Sequence, residues 1–212
     1  MAQTSFNSGN RSADLASLPD HEIMARLKEA PPEQIVAGFE VLVRRYKNAI
    51  VSYTYRFVAD YRAAEDLAQE AFLRVYRKIH EYNSTAKFST WLYTIAGNLA
   101  KDELKRRARH PAKSLDWQSG KSADTTRNVP HMVDTEGPAP EATLEQDEVR
   151  ITVNNALKQL KDDDREILLL KDVQGLAYED IAEILQLPMG TVKSRISRAR
   201  LAFKEVWKQL GA

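Results

Sequence analysis

The feature that most constrains this chain of 212 residues is a stretch near its middle that is poorly suited to a packed core. Residues 114–148 contain three prolines, eight acidic and two basic side chains, few large apolar residues and no sustained hydrophobic period. Such a composition is typical of disordered segments. We therefore predict a flexible acidic linker at residues 114–146, which joins two small domains at residues 20–113 and 147–212, and a disordered tail at residues 1–19.

The composition excludes several classes of function. The chain has no cysteine and only four scattered histidines, so disulfides, thiolate zinc sites and closely spaced histidine ligands are ruled out. The formal net charge is +1, no run of about twenty apolar residues occurs, and the first residues lack the layout of a signal peptide. We therefore expect a soluble, intracellular protein that inserts no segment directly into a membrane.

An all-α fold is predicted, because the chain has only eight glycines among abundant Ala, Leu, Glu, Lys and Arg. The apolar spacing predicts four helices in the N-terminal domain, at residues 20–30, 35–58, 64–82 and 89–109. The third helix has a broad apolar stripe for the core. Its opposite face is either an ordinary solvated surface or a docking surface for a partner. That face carries Asp66, Gln69, Glu70 and Leu73.

The fourth predicted helix begins with aromatic residues and ends with basic ones. Between Leu99 and Lys113 there are six basic and two acidic side chains. Basic residues hold a phosphate backbone, and unpaired bases stack on aromatic rings such as Trp91. Taken singly, Trp91 is more typical of a core, and basic residues also complement a helix C-terminus. Only the combination favours single-stranded DNA.

The C-terminal domain opens with two predicted helices, at residues 149–160 and 165–173. Asp163, followed three residues later by Glu166, is the pattern of an N-terminal capping signal for the second of them. Gly175 is placed to end that helix.

A helix-turn-helix pattern follows. It consists of a helix at residues 178–185, a tight turn at residues 186–190 and a second helix from Thr191 onwards. The apolar residues of the second helix share one face, so short polar side chains centre on the opposite face and long cations flank it. Base edges are read by close side chains, whereas Arg and Lys reach phosphates. A generic solvated basic helix is the alternative. The candidate DNA-reading residues are Thr191, Lys193, Ser194, Arg195, Ser197, Arg198 and Arg200.

In this order, the motifs resemble bacterial sigma factors of the extracytoplasmic-function (ECF) group, sigma-E-like, over roughly residues 20–109 and 147–208. Residues 66–72 are similar to the segment that docks on the clamp helices of the largest polymerase subunit. Residues 88–98 are similar to the segment that melts and reads the minus 10 promoter element. Residues 188–195 resemble the start of the helix that reads the minus 35 element.

The resemblance also implies a set of residues for the minus 10 element. It places the loop at residues 83–87 where a flipped base of the non-template strand is received. With the aromatic and basic residues of the fourth helix, the candidates are Asn83, Ser84, Lys87, Phe88, Trp91, Tyr93, Asn98, Lys101, Lys105 and Arg106.

The resemblance implies three partners: core RNA polymerase, through its beta-prime clamp helices and beta flap, promoter DNA, and an anti-sigma factor. It implies a region 2 helical bundle and a region 4 helix-turn-helix, and no catalysis, metal, cofactor or small-molecule substrate. The expected location is the cytoplasm, or the inner membrane where a membrane-bound anti-sigma factor holds the protein during a stress response. One departure is Ala177, where the family usually has Ser or Thr.

Two other classes compete with this interpretation. A two-domain transcription regulator would use the same helix-turn-helix on duplex DNA without polymerase. A nucleic-acid enzyme would place a metal on Asp66, Glu70 or the acidic run at residues 162–164. The helical placement of these acids accounts for them without a metal.

Overall fold

The computed structural model describes residues 15–83, 85–109 and 144–210, and within these ranges every regular element is a helix. The predicted linker lies almost entirely outside the described residues, as do residues 1–14 of the predicted tail. In chain order the elements are α1 (Asp20–Glu29), α2 (Pro32–Val58), α3 (Tyr61–Arg77), a 3-10 turn (Ile79–Glu81), α4 (Phe88–Arg109), α5 (Leu144–Gln159), α6 (Asp162–Leu168), a π turn (Leu169–Val173), α7 (Tyr178–Leu185) and α8 (Met189–Gln209).

The N-terminal domain begins earlier than the sequence predicts. Leu15 and Leu18 pack against the core, and the Arg45 guanidinium donates to the Leu18 carbonyl at 2.6 Å and to Asp20 at 2.5 Å. The prediction that the disordered tail extends through residue 19 is therefore wrong for residues 15–19.

Helices α1 to α4 form one bundle, and their ends follow local chemistry. Pro31 separates α1 from α2, Pro32 is the first residue of α2, and Ala59 ends α2 in the left-handed conformation (φ 54°). The Asp60 side chain accepts from the Ala63 amide at 2.9 Å, which caps the start of α3. Helix α3 ends at Arg77 rather than at Tyr82, because the chain tightens into the 3-10 turn: the Glu81 amide donates to the Lys78 carbonyl at 2.9 Å and the Tyr82 amide to the Ile79 carbonyl at 3.3 Å.

Arg165 closes the end of α5. Its guanidinium is buried and donates to the carbonyls of Leu157 at 2.9 Å, Lys158 at 3.0 Å and Leu160 at 3.2 Å. The Leu157 carbonyl also accepts from the Leu160 amide at 3.2 Å, and the guanidinium supplies a charged donor to the carbonyls at the end of the helix.

The predicted capping signal before α6 is wrong. Helix α6 begins at Asp162 after Lys161, which makes no side-chain cap. Asp163 lies within the first turn, where three successive aspartates complement the helix dipole. Glu166 points to the N-terminal domain rather than back to a backbone amide. Gly175 ends the element as predicted, with a left-handed φ of 67° that L side chains rarely adopt.

The helix-turn-helix matches its prediction closely. Helix α7 has the predicted bounds, Gln186 turns the chain in the left-handed conformation (φ 52°), and α8 begins at Met189. Val192 and Ile196 are buried against the rest of the C-terminal domain, as their spacing predicts. This packing fixes which face of α8 is turned outwards.

The two domains pack directly on each other. Helix α7 lies against α4, and α5 lies against the end of α2. Buried apolar residues of both domains belong to one continuous cluster. The side chains that line this interface belong to the candidate site.

Candidate polymerase and promoter surfaces

The docking face, defined as Asp66, Gln69, Glu70 and Leu73, lies on the outer side of α3. The predicted apolar stripe of α3 is buried beneath it, so these side chains are not needed for the fold. Leu73 is 41% exposed, which leaves one apolar side chain among polar ones. The Glu70 carboxylate accepts from Arg74 at 2.8 Å, and this hydrogen bond lowers the pKa of Glu70. The face therefore presents acidic side chains around an apolar centre.

The loop that precedes α4 is closed on itself. The Asn83 side chain accepts from the Thr85 amide at 3.1 Å, and the Ala86 amide donates to the Asn83 carbonyl at 3.1 Å. Ser84 lies outside the described residues. Lys87 leaves the loop and reaches the C-terminal domain, where Asp180 pairs with it at 2.9 Å and raises the pKa of Lys87.

The aromatic residues at the start of α4 divide into two groups. The Trp91 ring is half-buried and lies over the Tyr82 ring, with centroids 5.3 Å apart. Phe88 is 1% exposed and packs edge-on against Tyr46, so the prediction that its side chain contacts DNA is wrong. Tyr93 is buried at the domain interface and donates to Gln174 at 2.6 Å.

The basic end of α4 carries less free positive charge than its sequence indicates. Glu103 accepts from Arg106 at 2.6 and 2.7 Å and from Arg107 at 2.8 Å, and the Arg106 bond lowers the pKa of Glu103. Asn98 and Lys105 are exposed. Arg106 is exposed as well, so Asn98, Lys105 and Arg106 are the exposed members of the predicted minus 10 set on α4.

Glu166 occupies the centre of the domain interface. Its carboxylate accepts from Lys101 at 3.1 Å and from the Tyr53 hydroxyl at 3.4 Å. Glu166 is only 3% exposed, and this burial raises the pKa of its carboxyl group. Sequence reasoning missed Glu166, Gln174 and Asp180, because each pairs with a residue far away in the chain.

The outward face of α8 has the predicted layout. Lys193, Ser197 and Arg198 are exposed along it. Two flanking cations are paired with acids of the same domain: Arg195 lies 3.5 Å from Asp163, and Arg200 lies 2.5 Å from Asp172.

Two further predicted residues lie at the start of the same helix. Thr191 is half-buried, and its carbonyl accepts from the Ser194 hydroxyl at 3.0 Å. Leu201 is 61% exposed beside the polar face, and nothing in the structure explains its exposure.

The described ranges contain neither a helix long and apolar enough to cross a membrane nor a group of three or more His, Cys, Asp or Glu side chains that could hold a metal ion.

Comparisons with known proteins agree with this arrangement. Residues 42–110 match the Sigma-70 region 2 family, and residues 150–203 match the Sigma-70 region 4 family. The RNA polymerase sigma-H factor of Pseudomonas aeruginosa is 40% identical over 82% of this chain and 88% of its own. The ECF sigma factor SigW of Bacillus subtilis is 35% identical over 82% of this chain and 90% of its own.

A solved structure shares the fold of both domains. It is the sigma factor RpoE of Bartonella quintana in complex with the anti-sigma factor NepR, with a TM-score of 0.56, 25% identity, and coverage of 80% of this chain and 96% of that one. Two helical domains in this order, with this identity to known members, define a transcription initiation factor rather than an enzyme. The chain belongs to the ECF sigma factors, which bind core RNA polymerase and promoter DNA.

Proposed function

We propose that the three surfaces described above divide the work of a sigma factor among separate helices. The docking face on α3 binds the beta-prime clamp helices of core polymerase. The outward face of α8 reads the minus 35 element as duplex DNA. The minus 10 surface, defined as the loop at residues 83–87 and the accessible side of α4, captures the melted strand. The beta flap is the expected contact of the C-terminal domain.

The layout of α8 carries this proposal. The centre of the exposed face carries short polar side chains such as Ser197. Arg198 lies beside Ser197, and cations line both edges of the face. A major-groove helix needs this order, because short side chains reach base edges while long cations reach phosphates. Five basic side chains and no acid occur between Thr191 and Lys204, so the helix itself adds no repulsion toward the backbone.

The minus 10 surface has the features expected of a melted-strand site. The Trp91 ring packs at a tilt of 38° against the buried Tyr82 ring beside the loop, and its half-buried position leaves it as the ring on which an unpaired base would stack. Such stacking is worth about 1 to 3 kcal/mol per base. Unstacking a base from a duplex costs a few kcal/mol, so one captured base offsets much of that cost. The free energy of binding therefore drives opening of the promoter, and no chemical reaction is needed.

An anti-sigma factor is the expected regulator. The sigma factor RpoE of Bartonella quintana forms a complex with the anti-sigma factor NepR, and this chain shares its two-domain fold. We extend that relationship to this protein and place it in the cytoplasm. A membrane-bound anti-sigma factor would hold it at the inner membrane until a stress signal releases it.

Run-off transcription with purified core polymerase on a genomic library tests the proposal. The full chain should direct initiation at a defined set of promoters, while the free chain alone should bind those promoters only weakly. Sub-micromolar, sequence-specific duplex binding by the free chain at physiological salt, without transcription by the reconstituted holoenzyme, would instead establish the two-domain regulator. A variant with Arg198→Ala serves as a control, because it should alter promoter choice without preventing holoenzyme assembly.

A further inference from the structure

The last turn of α1 holds a carbonyl group that proline leaves without its usual partner. Each carbonyl of an α-helix ordinarily accepts from the amide four residues further along the chain, and for Lys28 that residue is Pro32, which has no N–H. The Lys28 carbonyl accepts instead from Nδ1 of His80 at 3.0 Å. Because a carbonyl only accepts, Nδ1 carries the proton in this contact. A side chain far away in the sequence therefore completes the end of α1.

Lys28 also makes a hydrogen bond in the opposite direction. Its ammonium group donates to the Tyr82 carbonyl at 3.2 Å. His80 belongs to the 3-10 turn, and Tyr82 is the residue that follows this turn. We call these two contacts, His80 to Lys28 and Lys28 to Tyr82, the clamp. The clamp fastens the end of α1 to the start of the loop at residues 83–87.

Helix α1 is a firm support for the clamp. Ile23, Met24 and Leu27 are buried in the core, and α1 packs on both α2 and the 3-10 turn. A Cβ atom placed on Gly38 of α2 would lie 2.6 Å from Leu27 Cδ2, so any side chain at that position would displace Leu27. Because the core holds α1 in this way, a contact with α1 fixes the position of the residues that it reaches.

Tyr82 connects the clamp to the minus 10 surface. Its carbonyl accepts from Lys28 at the start of the loop, and its hydroxyl donates to the carbonyl of Ala86 near the end of the loop. Its ring is buried and packs against the Trp91 ring, with centroids 5.3 Å apart. One residue therefore spans the loop and supports the ring on which an unpaired base would stack.

We propose that Lys28 and His80 are positioning residues for base selection in the melted promoter: the clamp holds Tyr82, and with it the loop and Trp91, in the arrangement that receives a flipped base. The inference rests on the proposed function of the minus 10 surface. It gives a role to α1, which precedes the residues that match the Sigma-70 region 2 family, 42–110. Neither side chain of the clamp needs to touch DNA.

A direct contact between Lys28 and a DNA phosphate would behave differently from the clamp. A phosphate contact carries no sequence information, so its loss weakens binding of every sequence alike and lowers the salt slope by about one. Loss of a positioning contact weakens binding of the preferred base most, because only that base uses the full geometry of the loop. The two roles therefore predict different patterns across the four bases.

Base selection by the holoenzyme tests the clamp. The probes are fluorescent single strands of a non-template minus 10 element recovered by run-off transcription, with each of the four bases placed at every position in turn. Lys28→Ala should reduce the preference for the favoured base about three- to ten-fold at one position, the range expected for one hydrogen bond. Lys28→Arg keeps a donor and should restore the preference. Arg26→Ala is the matched control, because it removes an exposed cation from the same helix.

The second contact of the clamp separates position from charge. His80→Ala removes the donor to the Lys28 carbonyl and should reproduce the loss of preference. His80→Asn places an amide N–H near the position of Nδ1 and should restore it. His21→Ala, at an exposed histidine of α1, is the matched control and should keep the full preference. Uniformly weaker binding of all probes by Lys28→Ala, with full preference in His80→Ala, would assign Lys28 to the DNA backbone and overturn the positioning role.

Hydrogen exchange of the free chain monitors the loop without DNA. The Thr85 amide donates to the Asn83 side chain, and the Ala86 amide donates to the Asn83 carbonyl. Both amides should exchange about three-fold or more faster in Lys28→Ala and in His80→Ala than in the unaltered chain. Amides of the α3 core should exchange at the unaltered rate, which shows that the bundle remains folded. Unchanged loop exchange together with unchanged base preference in both variants would overturn the clamp.

Trp91→Ala distinguishes failure of this inference from failure of the proposed function. The substitution removes the stacking ring itself, so holoenzyme that contains it should bind the single-stranded probes weakly. Full binding by Trp91→Ala would reject the proposed minus 10 surface and, with it, the role of the clamp in base selection. Weak binding by Trp91→Ala, with full base preference in both Lys28→Ala and His80→Ala, would overturn the inference and keep the proposed function.

Discussion

The two helices that we propose to face DNA differ in what covers them. Helix α8 presents its polar face outwards, whereas Lys101 of α4, and Lys87 just before that helix, pair with acids of the other domain. The difference teaches that a basic helix is not by itself an available DNA site. A cation that looks free in the sequence can already be paired in the fold.

The largest expected effect concerns the docking face, which belongs to neither of the two proposed DNA surfaces. Asp66→Arg with Glu70→Arg should abolish association with core polymerase, since the change reverses two charges of an exposed face. The core stripe of α3 is untouched, so far-ultraviolet circular dichroism should not change. Holoenzyme assembly is measured by gel filtration with core polymerase.

The matched control makes the same number of acid-to-arginine changes away from that face. Glu29→Arg with Glu40→Arg alters two exposed acids of α1 and α2 and should leave assembly intact. Normal assembly by the docking variant would remove α3 from the polymerase interface.

The next prediction separates melting from duplex reading. Trp91→Ala removes the ring that lies over Tyr82 and should reduce open-complex formation by about ten-fold or more, given the usual worth of one stacked base. Permanganate reactivity of unpaired thymines measures the opening. Binding to the closed duplex should hardly change.

Trp207→Ala is the comparison variant, because that ring stacks on Phe203 at 5.8 Å within α8. It removes a tryptophan of the same size from the other domain and should spare permanganate reactivity once the complex has formed. Equal loss of opening in both variants would mean that general destabilisation, and not the minus 10 surface, is responsible.

The next prediction concerns duplex reading and compares two arginines of α8. Arg198 is exposed at the centre of the face, and Arg198→Ala should cost about 1 to 3 kcal/mol on the preferred site and relax discrimination at particular base pairs. Arg200 lies at the edge of that face, where it would exchange Asp172 for a phosphate on binding, so Arg200→Ala should weaken all sites alike and lower the salt slope by at most about one. Holoenzyme binding to a panel of mutated sites separates the two patterns, and identical patterns would contradict the division.

Whether a feature of the fold or of the candidate site could be predicted from the sequence depends on how far apart in the chain the interacting residues lie. The helix-turn-helix was predictable because Val192 and Ile196 repeat at helical spacing, and the turn is local in the chain. The capping role assigned to Glu166 was wrong because its actual partner, Lys101, lies 65 residues away. No local pattern reports such a contact, so the closure of α4 became visible only in the fold.

The predicted end of the third helix and the predicted DNA contact of Phe88 were wrong for related reasons. The spacing of apolar residues carries the third predicted helix to Tyr82, but the backbone tightens into a 3-10 turn at Ile79–Glu81, and the helix stops at Arg77. Phe88 was assigned to DNA by the motif around it, although its ring fills the core beside Tyr46. A motif records which residues recur together, and it does not separate those that read DNA from those that hold the reader in place.

Acidity should affect the covered surface and spare the exposed one. Burial raises the pKa of Glu166 in the closed chain above the ordinary value of 4.5, with Lys101, Tyr53 and Asp163 as its charged or titratable neighbours. The closed chain, meaning the arrangement in which the two domains pack on each other, therefore holds this proton more tightly, and it gains stability as the pH falls toward 4.5 and loses it as the pH rises through the raised value. Pulsed electron resonance between spin labels on Lys47→Cys in α2 and Gln209→Cys in α8 should show longer distances as the pH rises. Glu166→Gln should remove that dependence, and a pH response that survives the substitution would assign it to another group.

The smallest expected effect concerns the start of α7. The backbone at Ala177 has φ −66° and ψ 155°, the extended conformation of an N-cap, but no side chain caps the helix. Ala177→Ser would supply a hydroxyl for a free amide, and such caps are worth about 0.5 to 2 kcal/mol. Asp180 would complete a capping box in an isolated helix, but Lys87 holds it here.

We therefore expect the lower part of that range, which raises the melting temperature of the full chain by about one to four degrees. Promoter choice should not change, because the outward face of α8 is untouched. In a Lys87→Ala background Asp180 is free to reach back, so the same Ala177→Ser change should stabilise the chain more, and calorimetry of the four variants measures the difference. Equal gains in both backgrounds would show that Asp180 does not take part in the cap, and a lower melting temperature would show that the serine hydroxyl makes no cap at all.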